Sequence, residues 1–188
     1  QPLTYYVSSA IQKAAPADNI LLVIRRHRQF IMLFSFLWIA FLTIRFGYRL
    51  LPFLFLVELL KYYYLGHLFL AESLVIYPLA YLFCLFWQVL LHKNLSRMDA
   101  VIASLSAFFV VFNLLPVGFA VLAMIISMLV LLRKKKNLYR YLIIPGVIAT
   151  VVLFIVVPVT SYLDATIIAN IFYYAPQSNQ YAFRVETG

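Results

Sequence analysis

Long apolar runs, separated by short polar and basic segments, dominate the pattern of this chain. The first run covers residues 30–44 and extends to Tyr48. A helix of about 19 residues measures about 28 Å, enough to cross a hydrocarbon core of about 30 Å. Two further runs of similar length cover residues 70–91 and 141–162. These lengths predict helices that cross a membrane.

Residues 98–132 form a longer apolar stretch, interrupted by Asn113 and by Pro116-Val-Gly118. One straight helix of about 35 residues would measure about 52 Å, well beyond the bilayer core. We therefore expect a hairpin that turns at 113–118, with a single long helix as the alternative. Asn113 and Pro116 favour a turn whose freed backbone groups Asn113 helps to satisfy. The alternative is a broken helix that lines a transport cavity.

Residues 50–69 are less apolar and contain Tyr62, Tyr63 and Tyr64. Three interpretations stay open for this segment: it lies along the interface, it forms a re-entrant pair, or it spans. Residues 1–29 are expected to form an amphipathic N-terminal segment, with a short helix from Leu3 to Ala14 and a second helix start capped by Asp18. Residues 30–163 would form the transmembrane domain, and residues 164–188 an interfacial helix and a polar exit segment.

Composition agrees with this pattern, since 65% of the residues are hydrophobic and 11% are charged. A soluble domain is about half apolar and about a quarter charged, so a soluble globule and a disordered tail are excluded. The sequence predicts an all-α, polytopic helical membrane protein. It has about five transmembrane helices plus the interfacial or re-entrant segment at 50–69. A bacterial inner membrane is favoured, with an organelle membrane as the alternative.

The net charge of +9 comes from short basic clusters beside the apolar runs. Such clusters orient membrane helices and attract anionic lipids, which fits their placement better than nucleic-acid binding does. The expected anchors are Arg25, Arg26, Arg28, Arg133, Lys134, Lys135, Lys136 and Arg140. Placing most Lys and Arg on one side predicts a cytoplasmic N-terminus and an extracytoplasmic C-terminus.

Glu58, Lys61 and Glu72 are the sharpest group of candidate functional residues. On one continuous helix they would fall within an arc of about 60°. Charges at membrane depth are costly and point to an ion path, a proton relay or the counter-charge of a partner. The other interpretation, favoured by the neighbouring tyrosines, places the segment at the interface with its charges reaching water.

His67, Asn113 and Pro116 complete the set of candidate functional or partner-contact residues. The sequence contains no His-Glu-x-x-His, no Glu-x-x-His and no Cys/His cluster, so neither a metal nor another cofactor is expected. It also lacks a nucleotide-binding glycine loop and a Gly-x-Ser-x-Gly motif, which argues against an enzyme.

These features favour a non-catalytic subunit or anchor domain of a larger envelope assembly, in contact with the lipid bilayer, anionic lipids and other membrane subunits. One alternative is a transporter or a proton, ion or lipid pathway that uses Glu58, Lys61 and Glu72. Another is the membrane domain of an enzyme or sensor whose active domain lies outside this chain.

Overall fold

A computed structural model describes residues 2–14, 19–64, 71–91, 95–133 and 136–163, and the regular elements in these ranges are helices. This confirms the all-helical class. The helices are α1 (Pro2–Ala14), α2 (Ile20–Phe46), α3 (Leu51–Tyr64), α4 (Ala71–Leu90), α5 (Arg97–Asn113), α6 (Leu115–Leu131), α7 (Lys136–Val156) and α8 (Val159–Leu163), with a 3₁₀ turn at Tyr48–Leu50.

Three of the described helices are long and apolar enough to cross a membrane. They cover Ile20–Phe46, Glu72–Leu90 and Asn137–Val156. The shorter helix Leu115–Leu131 is also apolar. Many large hydrophobic side chains on these helices are exposed, among them Phe36, Ile126 and Ile155. A hydrophobic outer surface is what a helix presents to lipid, and the chain is a helical membrane protein.

Helix α2 begins ten residues before the apolar run that predicts it. Its N-cap is Asn19, whose side chain accepts a hydrogen bond from the Leu22 backbone N–H at 2.9 Å. Asp18, the predicted cap, lies outside the described residues. Gly47 ends the helix with a φ of 99°, a left-handed conformation that a residue with a Cβ adopts only under strain. Residue 29, the expected segment boundary, therefore falls inside α2.

The hairpin predicted at 113–118 is confirmed, and one long helix over 98–132 is excluded. Leu114 alone separates α5 from α6. The Asn113 side-chain amide donates to the Phe109 carbonyl at 2.8 Å, within the last turn of α5. Pro116 stands in the first turn of α6, where a missing N–H is tolerated. Gly118 lies close to Val111, whose Cα a Cβ at position 118 would approach to 3.2 Å.

One end of the bundle, which we call the ion-pair end, brings together the ends of α2 and α4 and the start of α5. Arg45 contacts Gln88 at 3.3 Å and Asp99 at 2.6 Å. The end of α6 and the start of α7 meet here too, because Arg97 lies 5.7 Å from the ring centre of Tyr141. Helices α2 and α4 therefore run in the same direction. Helix α3, which comes between them in the chain, runs in the opposite direction.

The opposite end, which we call the α1 end, brings together the start of α2 and the ends of α5 and α7. The Thr4 hydroxyl of α1 donates to Asn113 at 2.7 Å, and Ser8 forms a hydrogen bond with His27 at 2.7 Å. The rings of Phe112 and Phe154 lie 5.7 Å apart in the same region. The start of α2 and the end of α7 consequently lie at the same end of the bundle.

Helix α5 packs at the centre, against α4, α6 and α7. Its small residues Ala100, Ala103 and Ala107 are buried. Gly146 of α7 approaches α5 so closely that a Cβ there would lie 2.9 Å from the Ser104 oxygen. The Gly146 backbone N–H donates to that oxygen at 2.8 Å. Small residues at such a crossing allow close backbone packing, which is how helices associate in lipid.

Candidate functional site

A polar cluster lies inside the apolar bundle where α2, α3 and α4 meet. It consists of Ser35 from α2, Glu58 and Lys61 from α3, and Tyr77 from α4, and we call it the buried polar cluster. Lys61 is only 4% exposed, whereas the Glu58 side chain is 32% exposed. The cationic member of the pair is therefore enclosed by protein, and its counter-ion lies at the surface.

The Lys61 ammonium and one oxygen of Glu58 have specific polar partners. The Lys61 ammonium donates to the Ser35 hydroxyl at 2.5 Å and pairs with Glu58 Oε2 at 2.7 Å. It also lies 5.2 Å from the centre of the Tyr77 ring, a favourable cation–π arrangement. The Tyr77 hydroxyl donates to the same Glu58 oxygen. One carboxylate oxygen thus accepts from two helices.

The position of Ser35 sets the depth of this cluster. Ser35 lies about 22 Å along α2 from Ile20 and about 16 Å from Phe46, at a rise of 1.5 Å per residue. Both distances place Lys61 near the middle of the longest helix. The side chain of Lys61 turns inward to Ser35 and does not extend to water, unlike the interfacial interpretation of the sequence.

The structure brings two of the three predicted charges together. Glu58 and Lys61 are i,i+3 neighbours on α3, which is why their contact is local and predictable. Because α3 ends at Tyr64 and α4 begins at Ala71, Glu72 does not share a helix with them. Within the described ranges, no ion pair joins Glu72 to Lys61. His67 lies outside the described residues.

Ser35 and Tyr77 are members of the cluster that sequence reasoning missed. Both stand in apolar runs, and their contacts with α3 join residues 26 and 19 positions apart. A polar side chain in a span is a weak signal, because a hydroxyl can bond to its own helix. Only the packing of α2 and α4 around α3 gives these two residues a charged partner.

A second polar cluster, at the ion-pair end, is centred on Asp99. Arg45 donates to both oxygens of Asp99, at 2.6 and 2.7 Å, in a bidentate pair. The Ser96 hydroxyl donates to the same carboxylate at 2.7 Å and accepts from the Asp99 backbone N–H at 3.0 Å, which forms a capping box at the start of α5. Tyr81 lies 3.3 Å from Asp99. These satisfied contacts hold helices together. Sequence analysis missed Ser96 and Asp99, although their Ser-x-x-Asp spacing is a signal for the capping box.

The remaining candidate residues from the sequence lie at the α5–α6 turn or belong to the expected basic anchors. Asn113 and Pro116 form the α5–α6 turn. Among the expected anchors, exposed side chains belong to Arg25, Arg26, Arg28, Arg133 and Arg140. Lys134 and Lys135 lie outside the described residues, and Lys136 is the first residue of α7. Among the described His, Cys, Asp and Glu side chains, no group of three or more could hold a metal ion.

Fold and clusters together define the class: a helical membrane protein in which a buried lysine pairs with a partly exposed glutamate near the middle of the longest helix. Comparison with protein-family models, with curated proteins and with solved structures finds no match to this chain.

The buried pair should show strong energetic coupling in a double-mutant cycle. Glu58→Gln leaves the Lys61 ammonium buried without its counter-ion, and Lys61→Met leaves a carboxylate in an apolar surrounding, so each change should lower the apparent melting temperature in detergent. The double variant should recover part of this loss, with a coupling of about 1–3 kcal/mol. Glu72→Gln is the matched control and should have little effect. Purely additive losses would contradict the pairing.

Proposed function

We propose that this chain is a non-catalytic integral membrane subunit or anchor domain of a larger envelope assembly, held by helix packing against partner subunits. The observation that carries the proposal is the partly exposed Glu58 at mid-depth on α3. A carboxylate at that depth is costly when lipid alone surrounds it. A partner helix would remove that contact with lipid and could offer hydrogen-bond donors.

The length of α3 and its exposed apolar residues support a partner helix on the side where Glu58 is exposed. Its 14 residues measure about 21 Å, less than the core thickness of about 30 Å. Phe55, Leu59 and Tyr63 recur at every fourth position and are all more than half exposed. We call these three residues the α3 stripe. A partner helix on the stripe would lie beside Glu58 and extend the short apolar wall.

Assembly should be sensitive to the α3 stripe. In a gently solubilised preparation, native mass analysis should show this chain bound to other subunits. Leu59→Arg should release it, because an unpaired charge then faces the partner helix. The matched control is Ile155→Arg on α7, where the native side chain is 78% exposed.

Two results would contradict the assembly proposal. One is a stable, full-length 21.8 kDa monomer for the unaltered chain. The other is equal loss of partners in both arginine variants, which would show that the charge and not the stripe is responsible.

For the orientation, we propose that the ion-pair end faces the cytoplasm of a bacterial inner membrane. The start of α2 and the end of α7 lie at one end of the bundle, which supports an even number of crossings instead of the five expected from the sequence. Among the described residues, the Lys and Arg at the ion-pair end are Arg45, Arg49, Arg97, Arg133, Lys136 and Arg140. They outnumber Lys13, Arg25, Arg26 and Arg28 at the α1 end by six to four, and the more basic side is the cytoplasmic side.

This orientation predicts which introduced cysteines a membrane-impermeant maleimide reaches in intact spheroplasts. In a Cys84→Ala background, Gln12→Cys in α1 should react at once, because the α1 end faces outward. Asn137→Cys at the start of α7 should react only after the membrane is permeabilised. The reverse pattern would restore a cytoplasmic α1, and equal labelling of both sites would contradict the shared side of α2 and α7.

A proton or ion pathway is the second candidate function, supported by the continuity of the buried polar cluster. Ser35, Lys61, Glu58 and Tyr77 are connected by hydrogen bonds across three helices. Carboxylate, ammonium and phenol groups in sequence are the kind of chain along which protons move in membrane proteins. The exposed part of Glu58 would be the point at which the chain exchanges a proton.

Flux through proteoliposomes tests this candidate. Glu58→Gln should abolish proton or ion flux, because the amide no longer takes up a proton. Glu72→Gln, which changes a carboxylate in the first turn of α4 outside the cluster, is the matched control and should retain flux. Unchanged flux in Glu58→Gln would remove the candidate and leave the subunit proposal unaffected.

A further inference from the structure

A groove of about 460 Å³ runs between α3 and α4 and is lined by apolar side chains of both helices. Leu54 and Val57 form its α3 wall, and Ile76, Ala80, Cys84 and Trp87 form its α4 wall. Phe53, Phe83 and Trp87 at its margins are each more than half exposed, so the groove opens sideways to the surface of the bundle. The α3 stripe faces away from it, because Phe55, Leu59 and Tyr63 do not line it.

The length of the groove matches one leaflet of a bilayer. Ile76 and Trp87 lie eleven residues apart on α4, which corresponds to about 16 Å. Half of a hydrocarbon core of about 30 Å is about 15 Å. At its deep end, Val57 and Ile76 directly precede Glu58 and Tyr77 of the buried polar cluster. The groove therefore begins at the ion-pair end and stops near mid-depth.

An exposed cationic residue directly precedes a residue that lines the outer end of the groove. Leu50 lines the groove there, and Arg49, the residue before it, is exposed on the 3₁₀ turn. Arg45, in the last turn of α2, is already paired with Asp99. Arg49 is thus placed to meet a phosphate at the level where lipid headgroups lie, with the indole of Trp87 as an interfacial neighbour.

We propose that the α3–α4 groove binds one acyl chain of an anionic phospholipid from the leaflet at the ion-pair end, with the lipid phosphate beside Arg49. Three observations select this occupant: an apolar lining, a length of one leaflet, and a cationic side chain at the headgroup end. A partner helix fits less well, because the groove stops at mid-depth. The proposal does not depend on which face of the membrane is cytoplasmic.

Photolabelling with acyl-diazirine lipids tests the proposal on the intact chain in liposomes. Phosphatidylglycerol that carries the diazirine should label α4 peptides between Ile76 and Trp87 in preference to the exposed face of α7. The phosphatidylcholine analogue should label them less. Arg49→Gln should reduce the preference for phosphatidylglycerol about fivefold, as expected for roughly 1 kcal/mol per basic side chain near an anionic lipid. Arg28→Gln at the α1 end is the matched control.

Filling the groove should displace the acyl chain. Ala80→Phe places a ring in the groove, and Ala149→Phe on α7, outside the groove, is its matched control. Because Ala80→Phe could disturb folding, a second arm alkylates Cys84 of the folded protein with N-ethylmaleimide, which adds bulk to the same wall. Loss of α4 labelling in the alkylated protein or in the folded Ala80→Phe variant supports the proposal. Labelling of α4 that persists after alkylation, or that matches α7 throughout, overturns it, and groove labelling without a headgroup preference overturns the assignment of Arg49.

Discussion

The bidentate pair between Arg45 and Asp99 joins the end of α2 to the start of α5 and so constrains the arrangement of the helices between them. Asp99 is almost fully buried and is also bonded to Ser96, so its charge is satisfied only where α2, α4 and α5 meet. Buried charges of this kind contribute little net stability but penalise every arrangement that separates them. With the end of α2 fixed beside the start of α5, α3 and α4 must leave that end and return to it. The paired return of α3 and α4 between α2 and α5 is consistent with this one contact.

Local signals account for what the sequence predicted. The hairpin at 113–118 follows from the length limit of a span and from Asn113, Pro116 and Gly118, all of which act within a few residues. The Glu58–Lys61 pair follows from i,i+3 spacing on one helix. The Asn19 cap of α2 lies one residue beyond the predicted Asp18, and a difference of this size is normal for helix ends.

The rest of the arrangement depends on contacts between residues far apart in the chain. Ser35 and Tyr77 join the buried polar cluster only because α2 and α4 both bring a side chain to Glu58 and Lys61 of α3. Counting Lys and Arg could not distinguish a spanning 50–69 segment from an interfacial one, because each basic cluster changes side with every added or removed crossing. The uncertain crossing was the one at residues 50–69, which the sequence allowed either to span or to lie along the interface. The contact between Lys61 and Ser35 shows that α3 reaches the middle of α2, which composition alone could not show.

Helix α3 carries the Glu58–Lys61 pair and contributes to both proposed binding surfaces. The stripe for the partner helix and the groove for the lipid chain lie on different faces of this helix. The stripe of Phe55, Leu59 and Tyr63 faces outward beside Glu58, whereas Leu54 and Val57 face α4 across the groove. A short helix with a charged pair gains little from lipid alone, because its apolar wall is incomplete and its carboxylate is partly uncovered. A lipid chain in the groove would complete the wall on one face without touching Glu58. A partner on the other face, as proposed, would cover Glu58, so the two proposed contacts of α3 would be physically independent.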